Sequence, residues 1–120
     1  MWYSGSGKET TIEKIMEETS SHLRKNGSIF IGCDSQINRN SCIFSTVICM
    51  HGADLQSGGY YFFRRDDKNR TRFPTIINRL LKEVELSVEM GFKILEEYPN
   101  ADIEIHIDAN SKKEEATGKF

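Results

Sequence analysis

Hydrophobic residues near the start of the chain recur at the spacing of one helix face, at Ile12, Ile15, Met16, Thr19 and Leu23. Thr10, just before this stripe, and Glu13 have the spacing of a capping box. Asn26 and Gly27 follow the stripe, and such a pair commonly ends a helix. The pattern therefore predicts a first helix that ends near Lys25.

Three apolar stretches come next, over residues 28–35, 42–50 and 60–65. Ile29 to Ile31 is apolar on both faces, which is typical of a central strand. Because only short polar turns separate the stretches, we expect three strands that pair as an antiparallel meander. Asp34 falls at the predicted carboxyl end of the first of these strands.

A long helix and a last strand complete the predicted order. Apolar residues at helical spacing predict a helix from about Pro74 to Glu97, which Pro99 ends. Residues 101–108 then alternate with period two, with isoleucines on one face and Glu104, His106 and Asp108 on the other. A strand–helix–strand step makes a crossover, so this strand should run parallel to an earlier one. The fold class is therefore α/β, with a mixed sheet and an extra N-terminal helix.

Length and composition restrict the class of protein. With 120 residues and a mass of 13.8 kDa, the chain holds one domain. We expect residues 1–9 to form a flexible arm and residues 109–120 a polar tail. No run of 18 apolar residues occurs, so no membrane partner is expected. The three cysteines lie inside apolar stretches, which favours small buried side chains and a cytoplasmic location.

Four acidic residues are candidates for chemistry. Asp34 and Asp108 end predicted strands, while Glu83 and Glu85 flank the apolar stripe of the long helix. Converging carboxylates repel one another unless a cation lies among them, and oxygen ligands favour Mg²⁺ or Mn²⁺. Two such ions can activate a water for phosphodiester cleavage. The simpler interpretation is that the aspartates are turn residues and the helical glutamates are solvated.

Other residues suggest a nucleic-acid surface. Basic side chains cluster between the third strand and the long helix, at Arg64, Arg65, Lys68, Arg70 and Arg72. They could hold a phosphate backbone, or form a solvated charged loop. The aromatic run from Tyr60 to Phe63 either stacks on bases or belongs to the core and sheet faces. His106 shares a predicted strand face with Asp108 and either assists the site or is a packed or surface histidine.

Three short segments resemble motifs of one family. Ile31-Gly32-Cys33-Asp34-Ser35-Gln36 resembles the first-strand motif IGxDSQ of the YkuK-like family of ribonuclease H-like proteins. Lys82 to Ser87 is similar to that family's helix segment, and Ile105 to Asp108 resembles its fourth-strand ending. The order of elements also matches the ribonuclease H fold.

The resemblance implies a two-metal nuclease that acts on an RNA–DNA hybrid, RNA or DNA. Carried over by position, Asp34, Glu83 and Asp108 would be catalytic and hold the metals, with Glu85 as the alternative to Glu83. A non-catalytic nucleic-acid-binding or assembly protein with the same fold is the alternative function. The family's fold continues beyond the fourth strand, so we expect its C-terminal part to be missing here and the fourth strand to offer an edge for a homo-oligomer.

Overall fold

The computed structural model describes residues 1–107, which form one mixed β-sheet and two helices. In chain order the elements are β1 (Trp2–Ser4), β2 (Glu9–Thr10), α1 (Ile12–Arg24), β3 (Ser28–Asn38), β4 (Ser41–His51), β5 (Tyr60–Asn69), a short 3-10 helix (Arg70–Arg72), α2 (Ile76–Glu97) and β6 (Ile103–His106). Across the sheet the strands follow the order β2-β1-β5-β4-β3-β6.

The strand pairing confirms the predicted topology. β3 pairs antiparallel with β4, and β4 pairs antiparallel with β5. β6 pairs with β3 in parallel, with Ile29 opposite Ile103 and Gly32 opposite His106. Parallel neighbours need a long crossover connection, and α2 supplies it.

The core lies between the helices and one face of the sheet. Alternate residues of β3 and β4 point to this face, and Ile29, Ile31 and Ile48 have an exposed fraction of 0%. They form one cluster with Ile15 of α1 and Ile94 of α2. Burying an aliphatic side chain of this size contributes about 1.5–3 kcal/mol. Both helices therefore pack on the same face, which we call the helix face.

Both helices begin one or two residues later than the sequence pattern predicts. The N-cap of α1 is Thr11 rather than Thr10, because the Thr11 hydroxyl accepts a hydrogen bond from the backbone N–H of Lys14 at 3.2 Å. Thr75 caps α2 in the same way, at 3.1 Å from the N–H of Asn78. A threonine hydroxyl satisfies a free N–H of the first turn, which Pro74 cannot do.

The long strands extend further than their apolar residues indicated. β3 continues to Asn38, so Asp34 lies inside the strand and not at its carboxyl end. Likewise β5 continues to Asn69, and part of the predicted charged loop is strand. The main-chain pairing with β4 carries these extensions, with Ser35 opposite Phe44 and Asn38 opposite Ser41. In the extension of β3, Asp34, Gln36 and Asn38 are exposed to solvent, so these polar side chains do not disrupt the core.

Residues 1–9 differ from the expected flexible arm. Trp2 pairs with Arg64 of β5 in an antiparallel ladder, and its side chain is only 6% exposed. The guanidinium carbon of Arg64 lies 5.0 Å from the centroid of the indole ring. β1 is thus part of the sheet and of the core. The predicted tail over 109–120 lies outside the described residues.

The second face of the sheet carries the side chains that point away from the helices. Phe30, Asp34, Val47, Phe63 and His106 belong to it by strand register, and none of them is fully buried. We call it the open face. Within residues 1–107, neither helix packs against it.

Candidate functional site

Asp34 occupies the centre of the open face. It is exposed, and it pairs in register with Ser45 of β4, which in turn pairs with Arg65 of β5. A depression of about 310 Å³ lies over this row of three side chains. A second depression, of about 420 Å³, connects Asp34 with Phe30 and His106. The row therefore presents a carboxylate and a guanidinium to solvent on the same face, with Ser45 between them.

Glu83 lies on the helix face and takes part in a buried hydrogen-bond network. Its side chain is 3% exposed and accepts a short hydrogen bond from the hydroxyl of Ser35. The Nε of Arg79 donates to the same hydroxyl at 3.1 Å, and its Nη2 donates to the Ser35 carbonyl at 2.9 Å. Arg79 is itself only 7% exposed. Buried charged groups require such partners, so this network fixes α2 against β3.

Asp34 and Glu83 consequently lie on opposite sides of β3. Successive side chains of a strand point to opposite faces, and Ser35, the partner of Glu83, directly follows Asp34. The structure does not bring these two predicted acids to one face. Asp108, the third, lies outside the described residues, and within residues 1–107 no three His, Cys, Asp or Glu side chains are grouped as a metal site would require.

Glu85 is directed away from both the network and the open face. It is exposed and forms an ion pair with Lys82, at 3.1 Å between Nζ and Oε1. This is an ordinary surface pair between residues three positions apart on a helix, of small energetic value. Glu85 therefore has the environment of a solvated helical glutamate.

Acidic side chains near β3 affect the pKa of the Cys33 thiol. The pKa of the Cys33 thiol is raised to about 11, chiefly by burial, and the negative charges of Glu83, Asp34 and Asp66 contribute in the same direction. A hydrogen bond from the Thr46 hydroxyl to Sγ, at 3.6 Å, acts in the opposite direction. The thiol at the centre of the sheet is therefore neutral at physiological pH and unsuited to act as a nucleophile.

His106 stands next to Asp34 on the open face. Its ring stacks on that of Phe30, with centroids 4.5 Å apart and planes inclined by 3°. Its Nε2 lies 3.2 Å from an oxygen of Glu104. Together with Asp34 it lines the larger depression, so its imidazole is available to a molecule bound there.

The predicted basic residues do not form one surface. Arg65 lies on the open face, with its guanidinium carbon 5.4 Å from the centroid of the Phe63 ring. Arg64 points to the helix face, where it pairs with Asp66 at 3.2 Å, and Lys68 is on the same side of β5. Arg70 and Arg72 belong to the 3-10 helix. Arg65 is therefore the one of these five that shares a face with Asp34.

Two residues of the buried network, Ser35 and Arg79, were not singled out from the sequence. Arg79 and Glu83 are four residues apart, a spacing that places both on one helix face. They lie within the apolar stripe of α2, and charged residues in such a stripe indicate a buried polar contact. The spacing of Arg79 and Glu83 is therefore the sequence signal from which this buried network could have been predicted.

A comparison with models of protein families shows to which family the chain belongs. The model of the family described as ribonuclease H-like matches residues 10–119. The chain belongs to the ribonuclease H-like family. Its meander, crossover helix and parallel strand confirm the predicted ribonuclease H-like fold.

Searches of the curated proteins and of the solved structures found no match to this ribonuclease H-like protein. Within residues 1–107, neither helix has the length and apolar character needed to cross a membrane.

Proposed function

We propose that this ribonuclease H-like protein is a divalent-metal-dependent nuclease that hydrolyses phosphodiester bonds of nucleic acid. The observation that carries the proposal is the exposed Asp34 on the open face, in one row with Ser45 and Arg65, in a chain of this family. The segments 31–36, 82–87 and 105–108 support the finer assignment to its YkuK-like group.

Asp108 completes the proposed site. β3 and β6 are paired in parallel up to Gly32 and His106. Asp108 follows the end of β6 by two residues in the sequence, and we propose it as a ligand of the same metal ions as Asp34. Carboxylate oxygens suit Mg²⁺ and Mn²⁺, so the donor chemistry fits these ions. When bound, they would supply an activated water and stabilise the leaving oxygen.

Other residues of the open face have roles in this proposal. Arg65 binds a phosphate of the substrate, because its guanidinium offers several donors to phosphate oxygens. The imidazole of His106 accepts or donates a proton near the reacting phosphate. Glu83, the third predicted ligand, lies on the other side of β3 from Asp34 and would have to leave its hydrogen bond with Ser35 to reach the same ions.

That same hydrogen bond favours the alternative function. If Glu83 serves only to fix α2 to β3, the site has fewer ligands, and the protein binds nucleic acid or assembles without cleaving. Within residues 1–107, β6 is an edge strand of the sheet. A homo-oligomer that forms through this edge therefore stays a prediction.

Thermal melting with and without Mn²⁺ tests the proposal. An ion that binds only the folded state at ten times its Kd should raise the Tm by about 3–6 °C. Asp34→Asn keeps the shape of the side chain but removes its charge, so it should abolish this rise. It should also abolish cleavage of an RNA–DNA hybrid, RNA or DNA. Asp67→Asn removes an exposed charge from the same face two strands away and should retain both.

The variant Glu83→Gln distinguishes a role of Glu83 as a metal ligand from a purely structural role. As a metal ligand Glu83 would be needed for the response to Mn²⁺, whereas as a structural acceptor its substitution would lower the Tm and leave that response unchanged. Metal binding by the parent without cleavage of any of the three substrates would favour the non-catalytic alternative. An Mn²⁺ response in Asp34→Asn equal to that of the parent would reject the proposed site.

A further inference from the structure

A cavity of about 670 Å³ lies between the tip of the β3–β4 hairpin, the 3-10 helix and the first turn of α2. We call it the hairpin cavity. The backbone N–H of Arg70 donates to the carbonyl of Asn40 at 2.8 Å, and its Nη1 donates to the carbonyl of Arg39 at 3.2 Å. These hydrogen bonds hold together two of the elements that line the cavity.

The lining of the hairpin cavity has an apolar part and a polar part. The apolar part consists of Ile37, Phe73, Pro74 and Ile76. The polar part consists of side chains that offer hydrogen-bond donors, at Asn40, Asn69, Arg70, Thr71, Thr75 and Arg79. Sites for small organic molecules commonly have a volume of about 300–1,000 Å³ and such a mixed lining. The hairpin cavity therefore has the size and the chemistry of a small-molecule site.

Positive charge is concentrated at this end of the molecule. The whole chain has 16 basic and 18 acidic residues, but residues 35–45 and 68–81, which supply the entire lining, include no Asp or Glu. The same two segments carry five basic residues, at Arg39, Lys68, Arg70, Arg72 and Arg79. Among residues 1–107, no acidic side chain lines the cavity. The charge at this end of the molecule therefore favours an anion as the ligand.

Two arginines line the cavity and differ in their surroundings. Arg79 is 7% exposed, and its two hydrogen bonds to Ser35 hold its guanidinium in place. Glu83 accepts a hydrogen bond from the same Ser35 hydroxyl and offsets part of the charge of Arg79. Arg70 is exposed and supplies a second guanidinium. The N-terminus of α2 adds partial positive charge, and no acidic residue in its first turn neutralises this charge.

We propose that the hairpin cavity binds the phosphate monoester group of a small organic molecule. Arg70 binds the phosphate oxygens, because a guanidinium offers several donors in a planar arrangement that matches them. The organic part of the ligand packs on the apolar lining around Phe73. A phosphate monoester suits the cavity better than a carboxylate, because it carries about twice the negative charge near neutral pH.

This inference goes beyond the proposed function and does not rest on it. The cavity is lined by Ile37, which shares the helix face with Ser35, whereas Asp34 belongs to the open face. A ligand in the hairpin cavity would therefore lie on the opposite side of β3 from the proposed metal ligand.

NMR titrations of the amide signals test the inference, at about pH 8 and constant ionic strength, with EDTA present so that no metal ion contributes. The probes are inorganic phosphate, adenosine monophosphate and acetate. We expect saturable shifts within residues 69–76. Adenosine monophosphate should bind about tenfold more tightly than inorganic phosphate, because its organic part contacts the apolar lining. Acetate should bind about tenfold more weakly than inorganic phosphate, because it has a single charge.

Two variants locate the bound phosphate. Arg70→Gln removes the exposed guanidinium and keeps a polar side chain, so it should weaken the binding of adenosine monophosphate about tenfold. Lys14→Gln removes an exposed cation from α1 and serves as the matched control, because Lys14 does not line the cavity. The control should bind adenosine monophosphate as the parent does.

Several outcomes would overturn the inference. Equal binding of adenosine monophosphate by the parent and Arg70→Gln is one, and the absence of saturable shifts in the parent is another. Shifts in Glu114→Gln Glu115→Gln but not in the parent would assign the cavity to that acidic stretch of the chain. Tighter binding of a 12-nucleotide strand without terminal phosphates would assign it to phosphodiesters instead. Each of these results leaves the Mn²⁺ test of Asp34 unaffected, so the two proposals can fail separately.

Discussion

Cys33 shows at the scale of one residue how burial and nearby charge determine chemistry. Its Sγ lies on the helix face, while the backbone next to it carries Asp34 to the open face. Burial and the surrounding carboxylates both disfavour the thiolate, which is why its pKa is raised to about 11. The apolar stretches correctly indicated small buried side chains for Cys33 and Cys42, whereas Cys49 points to the open face and is only half-buried.

The pH dependence of stability should report this thiol. Its pKa in the fold is about 11, above the ordinary value of 9.0, so the folded state favours the protonated form. The resulting stabilisation is fully present below pH 9 and is lost as the pH rises from 9 to 11. We expect the parent to lose up to about 2 kcal/mol more than Cys33→Ala over this interval. Urea unfolding at pH 7, 9 and 11 measures the difference, and parallel pH profiles would contradict it.

The face to which Asp34 points could not be predicted from the sequence. Ile29, Phe30 and Ile31 are all apolar, so period-two alternation does not distinguish the two sides of this strand. Only the packing of α1 and α2 on one side decides it. For the same reason the sequence identified Asp34 and Glu83 as candidates but could not show that β3 separates them.

At the scale of elements, the existence and type of the main helices and strands could be predicted from the sequence, whereas the residues at which they end could not. Both helices and the last strand were predicted from hydrophobic periodicity, and the three strands of the meander were predicted from apolar stretches between polar turns. The ends of β3 and β5 depend on main-chain pairing with β4, which polar side chains neither require nor reveal. β1 and β2 were missed because two or three residues are too few to show a period.

The junction of α1 and β3 depends on the absence of a side chain at Gly27. A Cβ added there would collide with the His22 ring. That ring cannot move freely, because its Nε2 donates to the carbonyls of Ser28 and His51 at 2.9 and 3.0 Å. Gly27→Ala should therefore lower the free energy of unfolding by about 1–3 kcal/mol.

Gly32→Ala is the matched control for this prediction. A Cβ at Gly32 would lie 3.5 Å from the carbonyl oxygen of His106, an ordinary contact. Alanine also loses less backbone entropy on folding than glycine, so its effect should be within about 0.5 kcal/mol of zero. Urea denaturation compares the two variants. Equal losses would show that the His22 ring does not fix this junction.

At the scale of the whole molecule, β1 joins the N-terminus to the rest of the sheet. Trp2 belongs to the same core cluster as Ile29, Ile48 and Phe62, and it is the single tryptophan of the chain. A polar, glycine-rich segment gave no sign of this from the sequence, since one buried ring has no periodicity. The burial of that ring makes β1 part of the cooperative unit rather than an independent arm.

The single tryptophan makes that cooperativity measurable. If β1 unfolds together with the sheet, the fluorescence of Trp2 and the far-ultraviolet circular dichroism should give one melting temperature. Trp2→Ala should lower the free energy of unfolding by about 3 kcal/mol or more, because it leaves a cavity and removes the contact with Arg64. Trp2→Phe keeps most of the apolar volume and should lower it less. A fluorescence transition well below the circular dichroism transition would show instead that β1 detaches first, as expected of a flexible arm.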